Sequence, residues 1–322
     1  MKLIRYPQPG MASDCKTALT IGNFDGLHIG HQALIQRVRQ LASTHQCASA
    51  VVTMQPLAAQ YFGGKERLTL LTPFKQKYRL LAAMGLDIGV FLNFNRRLAE
   101  LSATDFAEKI LFNSLNARHI VVGDDFRFGK NRQGNFEFLK HMAAGRGITV
   151  ESIPSVTHHG QRVSSSLIRQ RLRAGDIPAA NAMLGRPFSI TGRVRRGWQL
   201  GRTLDMPTIN LAVRSPQPPV LGVFAVRVSL ANGAQVPGVA SLGTNPTIAH
   251  NGERQYVLEA HLFDFCDNIY GQPVEVMFMQ KLRDEVKFDG LAALKAQMHH
   301  DADAARAILE QMPQEATGDR QQ

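Results

Sequence analysis

The 322-residue sequence is poor in cysteine: Cys15, Cys47 and Cys266 stand far apart, and no CxxC pair occurs. A structural zinc site is therefore not expected, and a reducing cytoplasm is the simplest setting. No run of about 18 apolar residues is present, so no membrane span is expected. The opening residues MKLIRYPQPG lack the apolar stretch of a secretory signal, so none is expected either. Long Lys/Arg blocks and interleaved aromatic-basic runs are also missing. The net charge of +11, from 37 basic and 26 acidic residues, then favours phosphorylated small molecules over nucleic acid as partners. What remains is ordinary for a globular chain: 44% hydrophobic and 20% charged residues, in a length that suits two domains.

The first half alternates apolar runs with helical periodicity. Residues 18–21, 48–53, 88–92, 120–123 and 148–153 read as strands. A helix after Gly26 carries Leu34, Ile35, Val38 and Leu41 on one face. Thr72-Pro73 starts a second helix that Gly85 ends, and Ser102 to Asp105 starts a third. Such alternation predicts a parallel α/β sheet covered on both faces. Ser164 to Ser166 lead into a helix that stops near Gly175, and Asp176-Ile177-Pro178 starts another that Gly185 closes. The texture then changes. Residues 188–194, 222–230, 236–242, 256–263 and 274–279 are short β-like runs separated by Gly, Pro and Asn, which predicts a small antiparallel barrel. Met277 and Met279 alternate along the last of them and read as core. Asp289 caps a terminal helix with Leu291, Leu294 and Met298 in register. The expected domains are 1–184 and 185–312, with 313–322 a disordered tail.

Chemistry enters at residues 24–31, FDGLHIGH. Gly22, Asn23, Phe24, Asp25 and Gly26 form a turn directly after a strand, and Gly30 lies between His28 and His31. Glycines let a backbone approach phosphates, and a helix N-terminus points N–H groups at them. Two imidazoles one turn apart can donate to charge developing on an α-phosphate and a leaving pyrophosphate. The tetrapeptide HIGH also occurs in class I tRNA synthetases, but no KMSKS-like lysine run follows. Instead, Ser164, Ser165 and Ser166 stand at a helix start with Arg169 one turn in, a second phosphate clamp. Residues 20–28, Gly123 to Gly129 (GDDFRFG) and RVSSS at 162–166 resemble the FAD synthetase module of bacterial bifunctional riboflavin kinase/FAD synthetases. The resemblance implies a Rossmann-like nucleotidyltransferase domain that moves AMP from ATP to FMN. It casts His28, His31, Ser165 and Arg169 as catalytic, with the loop of Gly123, Asp125, Phe126 and Phe128 holding flavin or phosphates.

The second half is similar to the riboflavin kinase of that family. Gly192, Gly197, Gly201 and Arg202 precede the stretch LDMPTIN, whose family form with its preceding residues is G-R-x-L-G-F-P-T-A-N. Gly222-Val223-Phe224, residues 238–247, residues 258–262 (LEAHL) and Lys281 to Phe288 follow in family order. The glycines could cradle a nucleotide. Thr208 and Asn210, alternate residues of an extended segment, offer hard oxygens for Mg²⁺. Glu259 is by resemblance the base that takes a proton from the riboflavin hydroxyl. ATP, riboflavin, FMN and FAD are the implied substrates and products. The chain departs from the pattern at Asp205-Met206, at Ile209, and at Ser166, where Thr is usual. The first departures leave open an adenylyltransferase with an impaired kinase half. Trp198 could pack on a base, and His158-His159 and His299-His300 read as exposed.

Overall fold

The computed structural model describes residues 1–5, 15–63, 69–196, 205–213, 217–244 and 256–312. It divides into two compact units, Met1–Leu167 and Ile168–Gln322. The expected tail at 313–322 lies outside the described residues.

The first unit is a six-stranded parallel sheet of β1 (Lys2–Arg5), β2 (Thr17–Ile21), β3 (Ala48–Met54), β4 (Ile88–Leu92), β5 (Ala117–Gly123) and β6 (Thr149–Ile153), in the order β1-β4-β3-β2-β5-β6. β2 and β4 are buried along their whole length, as central parallel strands covered on both faces must be. Alternate residues feed two cores. Leu19, Ile21, Val52, Val90 and Val122 pack on one face with Phe106 and Leu111. Ala18, Val51 and Val121 pack on the other with Ile35, Val38 and Leu41 of the helix Ile29–Thr44. The strand order reverses between β2 and β5. Ligands of open α/β sheets bind at the strand C-termini beside such a point. Both the histidine turn and the Gly123 loop begin there.

β1 was not anticipated from the sequence. Only Ile4 of its four residues is buried, so no alternation shows. A two-stranded hairpin, β7 (Thr157–His158) and β8 (Gln161–Arg162), precedes the serine run. The helix Ser165–Ala174 carries the chain from the first unit into the second. This division falls before the expected 184/185 boundary. The following helix, Ile177–Leu184, is held in the second unit by Asn181, which donates to the Phe278 main-chain oxygen at 2.9 Å and accepts the Phe188 N–H at 2.7 Å.

The second unit is an antiparallel sheet of β9 (Phe188–Arg193), β10 (Thr208–Val213), β11 (Gly222–Ser229), β12 (Gln235–Thr244), β13 (Tyr256–Leu262) and β14 (Pro273–Arg283), ordered β10-β13-β12-β11-β14-β9. The Arg195 N–H donates to the Asn210 oxygen at 2.8 Å, nearly closing the barrel between its first two strands. β11 is buried on both faces. Phe224 meets Phe278 edge to face at 5.1 Å, while Val223 and Ala225 lie under the terminal helix Leu291–Gln311. In β14 the fully buried set is Val274, Val276 and Phe278, so Met277 and Met279 take the opposite face. Gly290, not Asp289, occupies the cap of the terminal helix, and Leu291 is 59% exposed. The buried stripe begins a few turns later, at Asp301, Ala302, Ala305 and Leu309.

Candidate functional site

Three residues of the first turn have left-handed backbone: Phe24 at φ +46°, Gly26 at +84° and Leu27 at +47°. For Phe and Leu that geometry is strained. It persists because both side chains are fully buried with Ile35 and Val38. Asp25, 1% exposed, fixes the same turn. Its Oδ1 accepts the N–H groups of Leu71 and Thr72 at 3.0 Å each and the Thr72 hydroxyl at 3.2 Å. The Thr72 hydroxyl in turn accepts the Gly26 N–H at 2.9 Å. Phe24 and Asp25, expected to touch a nucleotide, are thus core and scaffold: the ring is inside and the carboxylate is taken by residues 71–72. Gly22 lies over the Phe24 ring, which a Cβ there would meet at 3.2 Å.

His28 caps the helix, its Nδ1 accepting the His31 N–H at 3.3 Å. That bond assigns the proton of the neutral His28 ring to Nε2. The two rings stack with centroids 3.6 Å apart. A Cβ on Gly30 would come within 3.2 Å of His28 Nδ1, so the small residue keeps the ring in place. Burial first, then electrostatic interaction with His28 and with Lys77, holds the His31 imidazole well below the usual histidine value. His31 is therefore neutral near pH 7 and can donate one ring N–H. Its Nδ1 is buried with no hydrogen-bond partner among the described residues.

The serine run meets this turn. Ser165 Oγ donates to the Asp25 main-chain oxygen at 2.8 Å, across 140 positions of sequence. Ser164 accepts the Leu167 N–H at 3.2 Å as a cap, and Ser166 is exposed. Arg169, 7% exposed, falls on the second unit's side of the division. In the loop after β5, Phe126 closes a turn onto the Gly123 oxygen at 3.1 Å. Asp124 and Asp125 share Arg162, at 3.5 and 2.7 Å. Phe128 is a core residue, packed between Phe126, Phe106 and Phe138, so its ring is not free to stack on a flavin. Exposed aromatics stand elsewhere: Tyr61 and Phe62, 42% and 68% exposed, meet each other and Phe94 edge to face. They escaped notice because a five-residue helix has too little length to show periodicity. Lys77 was missed too. It is 1% exposed and donates to the Asn23 main-chain oxygen at 2.7 Å.

In the barrel, register assembles the second constellation. Asn210, Glu259 and Ser241 oppose one another across β10, β13 and β12, and Thr208, His261 and Val239 form the next row. Opposed residues share a face. Val239 packs under the terminal helix, so both rows lie outside the barrel core. A cavity of about 270 Å³ opens there, lined by Thr208, Glu259, Arg283 and Glu285 together with Met298 and Phe288. The enclosing cavity walls and, second, the Glu285 carboxylate raise the Glu259 pKa above the usual glutamate value. Ser241 donates to Glu285 at 3.3 Å, and a Cβ on Gly243 would run into that carboxylate. Arg283 is locked on the buried Asp301 of the terminal helix, with Nη2 to Oδ2 at 2.7 Å and Nε to Oδ1 at 3.0 Å.

Gly192 is no turn glycine. It pairs with Val274 inside β9, and a Cβ there would lie 2.9 Å from the Leu211 side chain. Gly197, Trp198, Gly201, Arg202 and the motif residues 245–247 lie outside the described residues. Two of the departures from the family pattern, Asp205 and Met206, are accommodated. Asp205 has φ +60°, a backbone Gly adopts freely and Asp adopts more readily than most residues. Its carboxylate pairs with Lys295 at 2.7 Å, which holds its pKa below the ordinary value. Met206, 3% exposed, joins the apolar patch under the terminal helix.

Residues 11–167 match the family model for FAD synthetase, and residues 184–309 match that for riboflavin kinase. The bifunctional riboflavin kinase/FMN adenylyltransferase of Haemophilus influenzae is 42% identical over 91% of this chain and 94% of its own length. That of Escherichia coli K12 is 38% identical over 96% and 98%. A solved structure described as a macrolide-efflux protein from Streptococcus pneumoniae superposes with a TM-score of 0.82 at 27% identity, over 95% of this chain and 99% of its own. Among the described residues no helix is long and apolar enough to cross a membrane. With both family models matched in order and relatives aligned over almost the full length, the chain belongs to the family of bifunctional riboflavin kinase/FMN adenylyltransferases.

Proposed function

We propose that each unit carries out one of the family's two reactions with the side chains described above. The chain is an enzyme with both activities, phosphorylating riboflavin with ATP and adenylylating FMN with ATP to give FAD and pyrophosphate. Nothing among the described residues points to an impaired kinase half.

In the barrel, the nucleophile is a neutral hydroxyl. Glu259, with its raised pKa and its place at the cavity, accepts that proton as the hydroxyl attacks the γ-phosphorus of ATP. Thr208 and Asn210 present neutral oxygens on one face of β10, a donor set that fits Mg²⁺. When bound there with ATP, the ion would neutralise phosphate charge. In the first unit, the FMN phosphate is already an anion and attacks the α-phosphorus without a base. His28 Nε2 and the neutral His31 donate to the oxygens that gain charge, and the helix N-terminus behind them adds its partial positive charge. The aromatic surface of Tyr61 and Phe62 offers a place for the flavin ring. We place the enzyme in the cytoplasm, where its three free thiols stay reduced. Flavins and ATP are its partners, and neither a membrane nor nucleic acid enters this reading.

The observation that carries the reading is the Ser165–Asp25 bond at the point where the strand order reverses, since it closes the two phosphate-facing segments into one site. Incubation with riboflavin, ATP and Mg²⁺, with flavins resolved by chromatography over time, tests it. FMN followed by FAD is expected. Conversion of added FMN without conversion of riboflavin would remove the kinase half of the reading.

A further inference from the structure

A buried lysine without a carboxylate in contact is expensive, because the ammonium leaves water without an ion partner. Lys77 is such a residue. It sits in the helix Phe74–Ala83 and is 1% exposed. Its Nζ bonds to a main-chain carbonyl, that of Asn23, at 2.7 Å. The same carbonyl accepts the Thr53 hydroxyl at 3.0 Å. Asn23 is the residue before the strained Phe24, at the head of the turn that presents His28 and His31. Asp25 of that turn acts on Lys77 through space, and Lys77 acts on His31 at the head of the next helix. β3 contributes the uncharged Thr53, and Lys75 and Arg79 of its own helix are exposed.

We propose that Lys77 is a positioning residue for adenylyl transfer: its buried ammonium anchors the histidine turn through the Asn23 carbonyl. The proposal rests on the reading of this turn as the adenylyl-transfer site. Two consequences follow from its charge. The Lys77 ammonium adds to burial and to His28 in disfavouring the His31 imidazolium. Burial also pulls Lys77 down to about 8, so its charge is lost at mildly alkaline pH. Loss of the proton weakens the charge-assisted bond that fixes Asn23.

The test is the FMN-to-FAD rate of the full chain from pH 6.5 to pH 10, for the wild type, Lys77→Met and Lys77→Arg, with the His31 imidazole titrated by NMR in each. The wild-type rate is expected to fall as pH rises through about 8. Lys77→Met should lower the rate at pH 7 by about 10–100-fold, lack the alkaline limb, and titrate His31 at a higher pH than the wild type. Lys77→Arg should recover part of the rate and also lack the limb, since guanidinium does not titrate there. A wild-type profile flat to pH 9.5 overturns the proposal without any variant. So does a Lys77→Met enzyme that loses rate yet keeps the limb, which marks a structural role. Full turnover by Lys77→Met beside a dead His31→Asn enzyme overturns the Lys77 proposal alone. Full turnover by His31→Asn removes the site reading beneath it.

Discussion

At the histidine turn the polar groups are consumed inside the protein: Asp25 by two main-chain N–H groups and a hydroxyl, His28 Nδ1 by the His31 N–H, Lys77 by the Asn23 carbonyl. In the barrel the corresponding groups stand at an open cavity, where Glu259 and Glu285 keep solvent contact and Arg283 is clamped on Asp301. The contrast follows the two nucleophiles. A phosphate that is already ionised needs donors held still, and preorganisation is achieved by fixing each donor with buried bonds. A hydroxyl needs a base that can take a proton and release it to water, so the carboxylate has to remain accessible.

Four substitutions would sharpen or break that contrast. The largest effect is expected for Glu259→Gln, which removes the proposed base: riboflavin phosphorylation should fall by about 10²–10⁴. FMN adenylylation by the same variant should stay within about twofold of wild type, the scatter allowed for a substitution in the other unit. Full kinase activity would take proton acceptance away from Glu259. His31→Asn comes next, with the selectivity reversed. Loss of a fixed donor should cost adenylyl transfer about 10²–10³ and spare the kinase. Equal losses in both assays would mean that the variant had unfolded, which a thermal melt resolves.

Glu285→Gln probes the raised pKa of Glu259. If Glu259 is the base, as proposed, kinase turnover requires its carboxylate, so the rate should fall as pH drops through its pKa, above the usual glutamate value. Removing the neighbouring negative charge leaves burial as the remaining cause of the rise. The acid limb of the kinase profile should therefore move to lower pH in this variant. An unmoved limb would assign the base elsewhere. The smallest effect is expected for Asp205→Gly. The position already has left-handed backbone, and the Lys295 pair it loses is solvent-exposed, so kinase turnover should change by less than about twofold. A large gain would show that Asp205 restrains the kinase.

Much of the architecture was legible locally. The caps at Ser102 and Asp176 and the left-handed Gly185 lie where the sequence pattern puts them, because a cap is made by residues within one turn of each other. The strands of both sheets follow from apolar runs and alternation, with β1 and β10 the exceptions, β10 reading only as an extended segment around Thr208 and Asn210. Legibility failed where distant chain decides. Asp25 read as a nucleotide contact and Lys77 carried no signal, yet both are buried because the turn and the helix start at 71–74 close over them. Met277 read as core because alternation says which residues share a face, not which face turns inward, while Met279 of that face does pack against the cluster under the terminal helix. Phe128 read as a ring that could hold a flavin because the composition of a loop does not say which of its aromatics packs inside.

The sequence by itself determined the family, the order of the motifs, two α/β and β-rich halves, and the residue types available for each reaction. These are carried by short stretches whose spacing and composition are complete in themselves. Only the tertiary structure decided which of those side chains share a face, meet across the chain or turn into the core. Register across β10, β13 and β12 aligned Asn210, Glu259 and Ser241. The parallel sheet brought Ser165 to Asp25, and packing sent Phe24, Asp25 and Phe128 inward while burying Lys77 beside the histidines. Burial and register depend on which distant surfaces exclude water from one another, and no local pattern of residues encodes that.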